Sequence, residues 1–165
     1  MKEKRKNVKM EWNEVKLFKL SEEDAKNPVL LGKIADLEKE CFQDPWSETI
    51  LAETIQSPLD VVWICCQEKE ILAYCDLRIL AGEGELMRIA VRKDRRRQGF
   101  AKQLMDAMLS DSVAQGCTEW ILEVRESNQS ALKLYEFYGF EQEGIRKDYY
   151  KYPIENAVLM RRRQL

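Results

Sequence analysis

Two stretches of this 165-residue chain carry the residues best suited to chemistry. The first is Ile89-Ala90-Val91 followed, after a charged interval, by Arg96-Arg97-Gln98-Gly99-Phe100-Ala101-Lys102. It sets an apolar strand end, a basic loop, a glycine and a helix start in direct succession. The leading N–H groups of a helix lack intrahelical partners and lie at the positive end of its dipole, so such a turn binds an anion through backbone donors. Gly99 has no Cβ to hold a diphosphate away from those donors. Other phosphate motifs fit worse. No G-x-x-x-x-G-K-S/T is present, and the G-x-G at Gly82-Glu83-Gly84 has Met87 in its third glycine position and precedes a strand. Alone, the run Arg92 to Arg97 reads as a solvated loop or a nucleic-acid patch. Its place between strand and helix, with Gln-Gly-Phe-Ala behind it, favours the anion-binding turn. The second stretch holds Glu123, Asn128 and Tyr135. On position alone Glu123 is an ordinary strand carboxylate and Tyr135 a core aromatic.

Composition narrows the chemistry further. The chain has no histidine, which removes Ser-His and Cys-His nucleophilic dyads and the common zinc sites. Its five cysteines form no C-x-x-C pair and fall mostly in apolar segments, so they read as reduced, buried thiols of a cytosolic protein, and no metal is expected. Carboxylates, tyrosines, backbone donors or a cofactor must do the work. Net charge is -2, from 27 basic and 29 acidic residues, so no overall field draws the chain to nucleic acid or membrane. Basic residues cluster instead at Met1 to Lys9, Arg92 to Arg97 and Arg161 to Arg163. No apolar run approaches the roughly 18 to 20 residues that span a bilayer, and no apolar region follows the basic N-terminus, so neither a membrane span nor a signal peptide is expected. Residues 1–10 read as a flexible basic tail, with Met10 an alternative start, and residues 11–165 as one domain.

The elements that position these residues follow from local pattern. A strand is expected over residues 11–19 and a helix over Leu30 to Phe42. A second helix is expected behind an N-cap at Ser47, ending at Pro58. Strands follow at Asp60 to Gln67 and Ile71 to Leu80, joined by the turn Glu68-Lys69-Glu70. A strand at Glu85 to Val91 leads through the basic loop to a helix from Phe100 to Gln115 with Gly116 behind it. A strand at Glu119 to Val124 precedes a helix capped by Ser127 or Asn128 and running to Tyr138. Phe140 to Tyr149 and Ala157 to Arg163 close the chain as strands. This order implies an α/β fold, a mixed sheet with helices on both faces.

Arg96, Gly99 and Ala101 match the R/Q-x-x-G-x-G/A acetyl-CoA diphosphate signature of the GNAT superfamily. Leu122-Glu123-Val124-Arg125-Glu126-Ser127-Asn128, Leu134-Tyr135, Gly139-Phe140, Arg146-Lys147-Asp148-Tyr149-Tyr150, Pro45-Trp46-Ser47 and Glu155-Asn156-Ala157 extend the likeness. From about Leu17 to Met160 the chain resembles the ribosomal-protein alanine N-acetyltransferases. The resemblance implies a GNAT fold with a mostly antiparallel sheet, acetyl-CoA as co-substrate and a cytoplasmic location. It implies acetyl transfer to the N-terminal alanine of a small-subunit ribosomal protein, without a direct nucleic-acid or membrane partner. Carried over by position, Ile89, Ala90 and Val91 supply strand backbone beside the acetyl group and pantetheine, while Arg97, Gln98, Gly99, Phe100, Ala101 and Lys102 form the diphosphate turn. Asn128 contacts the cofactor, Glu123 is the general base and Tyr135 the general acid. Two positions depart from the pattern. Ala101 stands where a second glycine is commoner, and Asn156 where the family often has Asp.

Chemistry agrees with that expectation. An α-amine of pKa about 7.8 is roughly 14% neutral at pH 7, whereas a lysine near 10.4 is about 0.04% neutral, so an N-terminal amine needs far less help. One carboxylate, acting directly or through water, suffices. Two alternatives remain open at this level: a GNAT enzyme for another amine (lysine, polyamine or drug), and a non-catalytic ribosome- or RNA-binding module using the three basic clusters.

Overall fold

The computed structural model describes residues 14–164. The tail expected over residues 1–10 lies outside them, as do residues 11–13 of the first expected strand. In chain order the elements are β1 (Val15–Lys19), α1 (Pro28–Cys41), α2 (Glu48–Gln56), β2 (Asp60–Gln67), β3 (Glu70–Leu80), β4 (Glu83–Val91), α3 (Phe100–Ala114), β5 (Glu119–Arg125), α4 (Gln129–Phe137), β6 (Glu141–Lys151) and β7 (Ile154–Arg163). Short polar caps start three of the helices. The Asn27 side chain accepts from Val29 N and Leu30 N at 3.1 Å each, Ser47 Oγ from Ile50 N at 3.3 Å, and Asn128 Oδ1 from Ala131 N at 3.2 Å. The choice between Ser127 and Asn128 is thereby settled for Asn128.

The seven strands form one sheet in the order β1-β2-β3-β4-β5-β7-β6. Every neighbouring pair is antiparallel except β4 and β5, as the family resemblance implied. Strand alternation sends Val62, Ile64, Tyr74 and Ala90 to the face covered by α1 and α2, and Cys65, Cys75, Leu77, Leu122 and Val124 to the face covered by α3 and α4. Trp120 anchors the second face with no exposure, its Nε1 donating to Ser112 Oγ at 2.9 Å. A Cβ on Gly84 would stand 2.7 Å from the Trp120 ring. The second glycine of Gly82-Glu83-Gly84 therefore serves packing between β4 and β5, while Gly82 (φ 83°) makes the preceding turn.

Two of the sheet's register shifts bear on the site. Against β3, the register of β4 passes from Asp76↔Arg88 to Leu77↔Leu86, which leaves Met87 as a bulge. Against β7, β6 passes from Arg146↔Ala157 to Tyr150↔Glu155, so Lys147 to Tyr149 bow out of the ladder. The five cysteines are free thiols, with Cys65, Cys75 and Cys117 buried. No helix among the described residues is long and apolar enough to cross a membrane.

Candidate active site

The site is built around a fork. Strands β4 and β5 run parallel and paired from Glu83↔Glu119 to Leu86↔Leu122, and there the pairing stops. Beyond it, past the bulged Met87, Arg88 to Val91 keep their ladder to β3 only, while Glu123 to Arg125 keep theirs to β7 only. Alternate backbone groups of these two segments thus face each other across a gap instead of bonding. Ile89 and Val91 are half-buried along this edge, whereas Ala90 is buried toward α1 and α2.

At the end of β4 the chain enters the basic loop. Arg96 does not point into the loop's centre. Its Nε donates to Val91 O at 3.1 Å and its Nη2 lies 3.6 Å from Cys41 Sγ, which ties the loop back to the strand. Arg97 (φ 59°) and Gly99 (φ 86°) both hold the left-handed conformation, which a non-glycine residue adopts only at a cost and which recurs at ligand-binding turns. The first amide in the α3 ladder is Gln103 N, bonded to Gly99 O at 3.0 Å. Among the described residues, α3 is the one α-helix whose leading amides meet no capping side chain, and its first turn carries no acidic residue. A Cβ at Gly99 would meet nothing within 4 Å, so the space over this turn is open. Gln98 and Lys102 are exposed beside it, with Lys102 Nζ 4.3 Å from the Phe137 ring centroid. Phe100 is buried in the core and contributes its backbone alone to the turn, and Ala101 is half-buried behind it.

Glu123 stands on β5 just past the point where the strands part. Its side chain is 24% exposed, and its Oε1 lies 3.2 Å from Arg146 Nε. Tyr149 is coupled electrostatically to Glu123 as well, which raises the phenol. Both partners come from β6, at and beside its bulge. Asn156 holds that bulge in shape: its Oδ1 accepts from Asp148 N at 3.0 Å and its Nδ2 donates to Glu126 Oε2 at 3.3 Å. An aspartate there has no donor for Glu126, which gives the departure at this position a structural meaning. The far end of the hairpin is fixed by Glu155, whose Oε2 accepts from Ser127 N at 2.5 Å and whose Oε1 faces Arg125 at 3.5 Å.

Tyr135 lies on α4, in the apolar core that α3 and α4 form against the sheet. It is 5% exposed and its ring packs against Phe140 with centroids 6.0 Å apart. Burial pushes its hydroxyl well above the ordinary phenol range, and the neighbouring Tyr150 and Cys75 push the same way. Cys75 is the register partner of Ile89, and Tyr135, Cys75 and Ile89 share one apolar cluster. Asn128 is exposed at the β5–α4 junction with Oδ1 spent on capping, leaving its Nδ2 as the group that faces outward.

The structure therefore sets Ile89 to Val91 and Glu123 on the two edges of one gap, with the 97–102 turn beyond the end of β4, Tyr135 in the core of the α3–α4 face and Asn128 at the β5–α4 junction. Sequence reasoning missed Arg146 and Tyr149 as partners of Glu123, and Met87 as the bulge. No local pattern announces them, since each depends on register between distant strands. Among the described residues no group of three His, Cys, Asp or Glu is arranged to hold a metal. In the third basic cluster Arg161 and Arg163 are matched internally: Arg161 Nη1 lies 2.9 Å from both Glu83 and Glu119, its Nε lies 2.9 Å from Glu143, and Arg163 Nη2 lies 3.5 Å from Glu143.

Comparison with known proteins agrees with this geometry. The acetyltransferase (GNAT) family model matches residues 31–140. The ribosomal protein bS18-alanine N-acetyltransferase of Haemophilus ducreyi is 35% identical over 133 residues, covering 78% of this chain and 90% of that protein. The crystal structure of the ribosomal-protein-S18-alanine N-acetyltransferase from Escherichia coli superposes with a TM-score of 0.80 at 26% identity, over 92% of this chain and 96% of that one. The PaiA N-acetyltransferase from Thermoplasma acidophilum, in complex with coenzyme A, shares the fold at a TM-score of 0.68 and 18% identity, over 91% of this chain and 99% of that one. The chain belongs to the acetyltransferase (GNAT) family, where its relatives include the ribosomal protein bS18-alanine N-acetyltransferases.

Proposed function

We propose that this protein transfers the acetyl group of acetyl-CoA to the α-amine of an N-terminal alanine on a small-subunit ribosomal protein of the bS18 kind. The observation that carries the reading is the fork itself. An uncapped helix N-terminus lies at one end of the free β4 edge, and a carboxylate ion-paired with Arg146 and coupled to Tyr149 stands where the strands part. When bound, acetyl-CoA supplies an activated thioester carbonyl and a thiol leaving group. The amides of Phe100, Ala101 and Lys102 hold the diphosphate, with Arg97 and Gln98 beside them and Gly99 keeping the approach clear. The outward backbone groups of Ile89 and Val91 pair with the amides of the pantetheine arm as a missing strand would, while the Ala90 side chain keeps that edge packed on α1 and α2. Asn128 adds its Nδ2.

Glu123 takes the proton that the attacking amine must lose, directly or through one water, and Arg146 and Tyr149 hold the carboxylate toward the gap. Tyr135 donates a hydrogen bond to the departing sulfur. Because burial raises its hydroxyl, stabilising the forming thiolate outweighs complete proton transfer. On this reading the protein works in the cytoplasm, where ribosomal proteins are made, and engages neither nucleic acid nor membrane directly. The matched arginines of the third basic cluster fit an enzyme better than an RNA-binding module.

Intact-mass analysis tests the reading. The protein is incubated with acetyl-CoA and an equimolar mixture of an alanyl N-terminal peptide, a peptide with a free lysine and a blocked N-terminus, and a polyamine, with Glu123→Gln run in parallel. Preferential acetylation of the alanyl peptide, lost in the variant, supports it. Preference for lysine or polyamine transfers the activity to another amine. Folded protein that ignores acetyl-CoA at millimolar concentration in calorimetry, yet binds RNA with a steep salt dependence, is not an acetyltransferase.

A further inference from the structure

On the α1–α2 face lies a charged cluster that the chemistry above leaves without a task. Glu38 of α1 has no exposure. Its Oε1 accepts from the Tyr74 hydroxyl and its Oε2 from Trp46 N at 2.9 Å. Burial pushes this carboxyl above its usual range, against the pull of Tyr74, Trp46 and Arg88. Arg88 Nε faces Glu38 Oε1 at 3.6 Å, an ion pair longer than a hydrogen bond, and its Nη2 donates to Asp44 O at 2.9 Å. Its guanidinium carbon sits 4.4 Å from the Phe42 ring centroid and 4.7 Å from that of Trp46, and its side chain is 13% exposed. One β4 side chain thus grips Phe42, Asp44 and Trp46, the core of the segment that links α1 to α2.

Stability alone is a poor account of this arrangement. Desolvating two charges offsets most of their attraction, and an apolar side chain of similar volume fills such a place at least as well. A fork-shaped cation held between two rings and a carbonyl does something an apolar residue does not: it fixes the orientation of what it touches. Location says what that orientation serves. Arg88 follows the bulged Met87 on the free part of β4. Met87 and Trp46 line one cavity of about 260 Å³ together with Ile50 and Thr54. Asp44 acts electrostatically on the Tyr150 hydroxyl, and so does Glu123. Met87 and Glu123 each follow the last β4–β5 pair, Leu86↔Leu122, so the 42–47 segment that shares a cavity with Met87 borders the fork at which the incoming amine must meet Glu123.

We propose that Arg88 is a positioning residue for the acceptor, holding Trp46 and its neighbours as a rigid wall against which the first residue of the incoming N-terminus rests. The inference rests on the acetyl-transfer reading, with the acceptor entering opposite the coenzyme turn.

Arg88→Met keeps the aliphatic packing on Phe42 and Trp46 but removes the charge and the bond to Asp44. Steady-state kinetics with an alanyl peptide should show the peptide KM raised roughly tenfold or more, with kcat within about threefold and the acetyl-CoA KM unchanged. Should the lone buried Glu38 unfold that variant, Glu38→Gln/Arg88→Met removes both charges and is measured instead. Trp46→Leu, made in the wall itself, should repeat the peptide-specific defect. A peptide KM equal to the parent's in the folded double variant overturns the proposal. A parallel rise in both KM values, tracking lost thermal stability, overturns it too, because a merely structural residue behaves that way. A parent that prefers another amine sinks the alanine reading but not this one, which is then measured with that amine. A parent that acetylates no amine removes both.

Discussion

Glu123 and Arg146 meet across a strand that belongs to neither of them. Glu123 lies on β5 opposite Leu159, Arg146 lies on β6 opposite Ala157, and β7 runs between, yet Oε1 and Nε are 3.2 Å apart. A half-buried carboxylate held from over a neighbouring strand is fixed in direction without having its face toward the fork covered by its own ladder.

Glu123→Gln should lower kcat by about a hundredfold or more while acetyl-CoA affinity stays within about threefold, because the amide keeps the shape and loses the base. Arg146→Met should cost about tenfold in kcat, since it frees the carboxylate without removing it. Stopped-assay kinetics with calorimetric binding check both. Parent-like turnover of Glu123→Gln across pH would take the base away from this residue.

Tyr135→Phe should fold with stability within about 1 kcal/mol of the parent, since the ring and its contact with Phe140 remain. Loss of the hydroxyl should lower kcat by about ten- to a hundredfold. If kcat is unchanged when chemistry is rate-limiting, Tyr135 belongs to the core alone.

Gly99→Ala tests the turn. The Cβ itself meets nothing, so the penalty is the left-handed backbone, about 1 to 2 kcal/mol, together with crowding of the anion's approach. Acetyl-CoA affinity should fall by about tenfold. Gly116→Ala, at φ 91° and with equally open space, carries the same strain beyond the other end of α3 and serves as the control. Equal affinity losses in the two variants would separate the turn from coenzyme binding.

Asp76 should make stability depend on pH in the reverse of the usual carboxylate direction. It has no exposure, and neither carboxyl oxygen has a hydrogen-bond partner. Burial first, then the neighbouring Asp60, raise it from 3.8 to about 8, against the pull of Arg78 and Arg88. The folded protein thus keeps a proton that the unfolded chain has released, and stability falls as pH rises from about 4 to about 8. Asp76→Asn should flatten that slope and gain about 1 to 3 kcal/mol above pH 8, read by urea melts across pH. A variant whose pH slope matches the parent's would show that Asp76 is not the group responsible.

The local pattern of residues by itself determined where most elements begin and end, that helices cover both faces of a mixed sheet, and that the chain turns into α3 over an unprotected row of amides at Gly99. These features depend on alternation, caps and glycines acting within a few residues of one another. The tertiary structure alone decided the bulge at Met87, the point at which β4 and β5 separate, the arrival of Arg146 and Tyr149 at Glu123, and the hold of Arg88 on Phe42 and Trp46. Alternation looks the same on either side of an inserted residue, while a one-residue shift in register changes which side chains share a face. Partners contributed by strands far apart in the chain are therefore chosen by the packed sheet, which settles the register that neighbouring residues leave open.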